Sequence, residues 1–313
     1  MIAWVVLLQA SLTIAVAGPA TSPEYLPLHV AQADGYFAAQ QLAVTLRLVR
    51  SDAGAAEALA AGQAQLAATS LDAALRLGGV DGAPPRLVSG LTAAPPVALL
   101  VNPARADTIR SAADLVGLTV AVPAPGTAED QVLALLLARA GVPIHRVILR
   151  SLGERGAARA LEGGEVAAAV LSEPYVSRLV EDGKAAVAMD LRTAKDAAER
   201  LGGPTVNAAL FARAAAPPAA ATLRGVAAAI QAALARLVTA EPAALEASLP
   251  VAVIGSSADF ALRLRGARDL FLPGGRVSVE ALERSIALVR SRAPLPANVK
   301  LPRRAERLLL PLE

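Results

Sequence analysis

The residues best placed to do chemistry in this chain are a few hydroxyls, one carboxylate and one amide, each where an apolar run meets the next segment. Leu12 to Val16 alternates and is rich in β-branched residues, so it reads as a buried strand ending at Gly18 and Pro19. The loop behind it carries Thr21, Ser22 and Tyr25. These supply two hydroxyls and a ring with a polar tip, beside free N–H groups at a helix start that can hold an anion or a carbonyl oxygen. The same residues also make an ordinary helix cap. Thr69 and Ser70 end a third strand, where Ser70 either meets a ligand or caps the helix that follows, and Thr92 comes after a further strand.

Gly126 and Thr127 open a later helix, again with backbone N–H groups to offer. Thr127 can cap that helix, and Glu129 and Asp130 in its first turn suit the positive end of its dipole. Glu173 follows a strand and precedes Pro174, a residue suited to begin a helix. It would accept from a ligand amine, latch two parts of the fold or cap a helix; buried without a donor, it would be costly. Asn207 both donates and accepts, and reads either as a sensor of closure near a hinge or as an edge-strand surface residue. His29 lies one helical turn beyond Tyr25 and fits a structural role. Arg146 and Arg150 share a face if one strand runs through both, where they either meet an anion or are simply solvated.

Several chemistries have nothing to stand on. Zero cysteines exclude disulfides, thiolate metal sites and cysteine nucleophiles, and two histidines cannot make a three-histidine zinc site. The glycine motifs of hydrolases, P-loop NTPases and dinucleotide enzymes are absent, so we expect no catalytic residue, cofactor or metal. The 30 basic and 27 acidic residues are scattered, without the concentrated basic footprint that nucleic acid requires.

The elements that must position these residues come in two blocks. The chain of 313 residues is 55% apolar, 18% charged and 3% aromatic, so its cores are layers of short side chains packed with Leu and Val. Short strands and helices alternate from Leu12 to the Pro95 region and again to Asp190, which predicts mostly parallel sheets covered on both faces. The segment Pro204 to Phe211 reads as a strand returning to the first block, followed by helices over Ala221–Leu237, Pro242–Leu249 and Val279–Val289. Two crossings, near residues 95 and 205, would form a hinge. The division expected is 12–95 for the first part of lobe one, 96–204 for lobe two, and 205–313 for the return to lobe one with its helices. The tail from Pro294 is expected along the surface. Residues 1–11 are apolar and end in small residues, as an export signal does, but lack its positive start; a signal remnant, an anchor and ordinary structure all fit.

In order and spacing, LTIAVAG, PLHVAQADGYFAAQQLAVTLRLV, EALAAGQAQLAATS, IRSAADLVGLTVAVPAPGT, ALEGGEVAAAVLSEPYVSRL and FLPGGRVSVEALERSIALV resemble the substrate-binding proteins of ABC importers for nitrate, sulfonates, taurine and thiamine-pyrimidine precursors. The resemblance covers nearly the whole chain after residue 11. It implies an α/β, bilobed periplasmic-binding-protein-like fold of class II, with two mostly parallel sheets flanked by helices and a two-strand hinge. It also implies a periplasmic monomer that captures a small organic molecule or anion and delivers it to an ABC permease. The alternative is a menaquinone-pathway enzyme of the same fold, since fold does not fix function. Ligands of open α/β sheets bind beyond the carboxyl ends of the strands. That rule and the resemblance together make Thr21, Ser22, Tyr25, Thr69, Ser70, Thr92, Gly126, Thr127, Glu173 and Asn207 the expected ligand contacts. No arginine stands beside either helix-start loop, which points to a weakly charged or apolar solute.

Overall fold

The structure is a computed structural model that describes residues 10–311. The export-signal reading concerned residues 1–11, of which 1–9 lie outside the described residues; Ala10 and Ser11 begin the first strand. The chain runs through β1 (Ala10–Ala17), a 3-10 turn over Pro23–Tyr25, α1 (Leu26–Ala33), α2 (Tyr36–Ala39), β2 (Leu42–Val49), α3 (Asp52–Ala60), β3 (Leu66–Ser70), α4 (Leu71–Leu77) and β4 (Arg86–Gly90). A second block follows, with β5 (Val97–Val101), β6 (Thr119–Val122), α5 (Ala128–Arg139), β7 (Ile148–Ser151), α6 (Gly153–Glu162), β8 (Ala168–Ser172), α7 (Tyr175–Glu181), β9 (Ala186–Asp190) and α8 (Ala194–Leu201). The chain then returns through β10 (Ala208–Ala212) and ends in α9 (Ala220–Thr239), α10 (Pro242–Glu246), α11 (Val251–Ile254), α12 (Ser257–Arg268) and α13 (Val279–Arg292).

Each block builds one five-stranded sheet, ordered β2-β1-β3-β10-β4 in lobe one and β7-β6-β8-β5-β9 in lobe two. In each, one strand runs antiparallel to its neighbours, and it is the strand that has just crossed from the other lobe: β10 against β3 and β4, β5 against β8 and β9. The interior strands β3, β5 and β10 are buried at every residue, because helices cover both sheet faces, whereas the edge strand β2 mixes buried and exposed positions.

Strand alternation partitions the cores. In β5, Leu99 and Val101 face one side of the sheet with Val120, Leu133 and Leu136, while Leu100 faces the other with Ala121, Leu161 and Val176. Lobe one has a single cluster drawn from both ends of the chain, in which Ile14, Leu28 and Leu66 pack with Phe211, Ile230 and Leu282. Within it α9 buries Leu223, Val226, Ile230, Ala233 and Leu237, the three-and-four spacing of a helix with one apolar stripe.

Four details differ from the sequence reading. The helix expected from Pro23 to Gly35 begins as a 3-10 turn before α1, and beyond Gly35, which takes a left-handed conformation (φ 75°), the chain adds the short helix α2. α8 and α12 were not foreseen, although hydroxyl caps at Thr193 and Ser256 open them. Asn207 lies one residue ahead of β10, with its N–H bonded to the Thr92 carbonyl and its carbonyl to the Leu71 N–H. The tail is more than surface dressing, since Leu309 bridges Leu87, and Ala305 and Leu308 are buried along the outer strand β4. Covering that edge removes a row of unpaired backbone groups.

Candidate functional site

The carboxyl ends of β1, β2 and β3 share one edge of lobe one, and those of β6, β7 and β8 share one edge of lobe two. Both crossings leave from these edges and are bonded to one another. The N–H groups of Leu91 and Thr92 reach the Ala208 carbonyl at 2.9 and 3.2 Å, and the Thr205 hydroxyl reaches the Ala93 carbonyl at 2.8 Å. Thr92 is fully buried in this hinge, where its hydroxyl accepts from the Ala208 N–H at 3.4 Å.

On the lobe-one edge, Asp52 at the start of α3 gathers three of the expected residues. Its Oδ1 accepts from the Tyr25 hydroxyl, from the Thr69 hydroxyl at 3.2 Å and from the Ser70 N–H at 2.8 Å. The Ser70 hydroxyl caps α4 by accepting from the Ala73 N–H at 3.3 Å. Glu24 is bonded by the Asn207 side-chain amide, which ties the first loop to the hinge. Thr21 and Ser22 line a small cavity of about 10 Å³ with Phe260 and Arg263, room for a single water.

On the lobe-two edge, Gly126 takes a left-handed conformation (φ 80°), and its N–H donates to Asp130 at 2.8 Å. The Thr127 hydroxyl donates to the Ala124 carbonyl at 3.0 Å and accepts from the Asp130 N–H at 3.4 Å, capping α5. Glu173 is a latch. Its oxygens accept from the Ser177 N–H at 3.0 Å, the Ser177 hydroxyl at 2.8 Å and the Arg192 guanidinium at 2.5 Å. Arg192 in turn grips Asp190, and Gly266 of α12 comes so near that a Cβ there would lie 2.6 Å from Glu173 Cγ.

Three groups at the edges were not singled out as site residues in the sequence: Glu24, Asp52 and Glu129. Burial, then the charges of Asp52 and Glu129, push Glu24 up to about 8 from its ordinary 4.5. The Glu129 contribution comes from the opposite lobe. Burial and the same Asp52 carboxylate hold the Tyr25 phenol well above its ordinary range, so it remains a donor. His29 is buried in lobe one, and burial lowers it to about 4, which keeps it neutral. Arg146 lies in a 3-10 turn outside β7, and Arg150 stands in that exposed strand, 3.7 Å from Glu165. The signal for Asp52 and Glu129 was present, since each lies in the first turn of a helix that follows a strand end.

A cavity of about 90 Å³ lies at the hinge, lined from lobe one by Leu71, Asn207 and Val289 and from lobe two by Gln131, Val132 and Leu135. It is mostly apolar, and Asn207 stands between it and Glu24.

The family model described as NMT1/THI5 like matches residues 22–236, which takes in all of lobe two and most of the strand ends of lobe one. Among solved structures, a protein from Bordetella bronchiseptica RB50 superimposes with a TM-score of 0.73 at 23% identity, covering 96% of each chain. The alkanesulfonate-binding protein SsuA from Xanthomonas axonopodis pv. citri, bound to MOPS, gives 0.67 at 20% identity over 96% of this chain and 98% of that one. The periplasmic nitrate-binding protein NrtA from Synechocystis PCC 6803 gives 0.54 at 13% identity over 86% and 72%. No curated protein sequence matches the chain. The chain belongs to the NMT1/THI5-like family and has the bilobed fold of the class II periplasmic binding proteins.

Proposed function

We propose that this protein is a non-catalytic solute-binding protein that closes two lobes on a small molecule and hands it to an ABC permease, with the periplasm as its place of work. The observation that carries this reading is the pair of crossings bonded to each other, with the carboxyl-terminal edges of the parallel strands in both sheets meeting at them, where open α/β sheets bind ligands. Such a hinge lets one solute contact both lobes and shift the population toward the closed form. The contacts proposed are Thr21, Ser22, Tyr25 and Ser70 from lobe one, Gly126 and Thr127 from lobe two, and Asn207 at the hinge. Thr69, Thr92 and Glu173 support this surface through the bonds described, and hold its loops in place. Likeness to a sulfonate binder and a nitrate binder supports capture of a small solute.

Small-angle scattering tests the reading. A solute identified by thermal shift should reduce the radius of gyration at saturation, and unchanged dimensions with the ligand demonstrably bound would refute capture by closure.

A further inference from the structure

Beyond capture itself, we infer that the lobes do not part evenly: helix α12 holds them together along one flank of the hinge, and they open on the other, between α5 and α13. The starting observation is a third segment at the hinge. Leu270 and Phe271 follow α12 directly and are buried in different lobes, Leu270 in the core of lobe two and Phe271 in that of lobe one. Their backbone is bonded to the first crossing. The Ala93 N–H reaches the Leu270 carbonyl at 2.8 Å, the Leu272 N–H reaches the Leu91 carbonyl at 3.0 Å, and Phe271 bridges Thr92.

Helix α12 is thereby committed to both lobes. Phe260, Leu264 and Ala267 pack in the core of lobe one, and Phe260 and Arg263 stand beside Thr21 and Ser22. Its other side is seated on lobe two. Asp259 pairs with Arg178, and Arg265 with Glu181 at 3.6 Å, both partners lying on α7. Exposed pairs of this kind add little strength, but they fix how the two helices lie. Gly266, whose missing side chain makes room for Glu173, sits against the start of α7. Asp269 accepts from the Ala194 N–H at 2.8 Å, at the start of α8.

The opposite flank is furnished differently. Helices α5 and α7 cover opposite faces of the lobe-two sheet, since Val132 and Leu136 of α5 pack with Leu99 and Val101, whereas Val176 and Leu179 of α7 pack with Ala98 and Leu100. From lobe one, α13 lies against α5. Its side chains bond within the helix, to Asp72 and to the Val206 N–H; among the described residues none bonds α5 or α8. The two helices meet beside the hinge cavity of about 90 Å³, which Leu135 and Val289 line. A seam that encloses a void has fewer contacts to lose on parting, whereas α12 would have to pull residues out of a close-packed core. The pivot accordingly lies at α12, and the solute enters along α5.

Because the chain contains no cysteine, pairs of spin labels can be placed at chosen sites. One pair, Ala258→Cys with Asp182→Cys, spans the α12 and α7 flank; the other, Ala287→Cys with Ala138→Cys, spans the α13 and α5 flank, and all four residues are exposed. In the unliganded full chain, double electron–electron resonance should give a narrow distance distribution for the first pair and one at least about twice as wide for the second. Leu270→Ala, with its secondary structure retained by circular dichroism, should widen the first distribution. Equal widths on the two flanks, or a wider spread across α12, would overturn the inference, and so would a folded Leu270→Ala variant whose first distribution is unchanged. Two equally broad distributions would do so while leaving capture by closure intact; two equally narrow ones would count against closure, and so against capture, as well.

Discussion

Lobe one gathers its strand-end loops around a single carboxylate, with Tyr25, Thr69 and Ser70 all bonded to Asp52. Lobe two divides the work. Glu173 is tied to Arg192 and Ser177 as a latch, while Glu129 has no hydrogen bond or ion pair to its side chain among the described residues. Equivalent edges of equivalent sheets have thus been furnished for different ends. A satisfied network fixes its loops before any ligand arrives, and a side chain without a partner in the chain stays free to bond elsewhere. The hinge joins a surface fixed by its own network to one with a carboxylate left unbonded.

The strongest way to break this contrast is to remove the latch. Arg192→Met leaves the Glu173 side chain, 2% exposed, without its positive partner, and should cost about 3–5 kcal/mol in denaturant unfolding. Loss below about 1 kcal/mol would mean that the Ser177 bonds suffice and that the pair is not structural. The prepared network comes next. Asp52→Ala strips an acceptor from the Tyr25 and Thr69 hydroxyls and the Ser70 N–H, and should cost about 2–3 kcal/mol.

Dependence on pH sharpens the picture. Glu24, raised from 4.5 to about 8, binds more protons folded than unfolded across that window, so its share of the stability falls as pH rises through it. His29, lowered from 6.5 to about 4, does the opposite, and its share rises between those values. The two slopes cancel between pH 4.5 and 6.5. Of these two only Glu24 titrates above that, and its share of the stability should drop by about 2 kcal/mol from pH 6.5 to 8, at about 1.4 kcal/mol per unit. Glu24→Gln should abolish the drop in urea unfolding measured at each pH; a drop that persists would place the raised group elsewhere. The smallest effect is expected at Gly126. A Cβ there meets nothing within 4 Å, so Gly126→Ala should cost only the left-handed conformation, about 1 kcal/mol, in thermal unfolding.

Much of the fold was legible because its signals are local. The apolar runs that became β3, β5 and β6 and the hydroxyl that caps α5 depend on neighbours a few residues away. Candidate contacts such as Thr21, Ser70 and Thr127 followed from the rule about strand ends, and they do lie at those ends. Three carboxylates, Glu24, Asp52 and Glu129, escaped notice as site residues. In the sequence Asp52 and Glu129 look like any acidic residue in a first helical turn, where the dipole alone accounts for them. Glu24 sits in a loop of small residues with nothing to set it apart.

The order of strands and helices, the apolar faces and the absence of thiol chemistry were set by residue types and their spacing, since burial and hydrogen bonding impose periods that any reader of the chain can count. The tertiary structure alone decided which carboxylates acquire partners. Asp52 meets Ser70, and Glu173 meets Arg192, across gaps in the chain that no local period encodes. Charge interactions depend on distance in space and on the water excluded between groups, and both are fixed only when the two lobes and their crossings have come together.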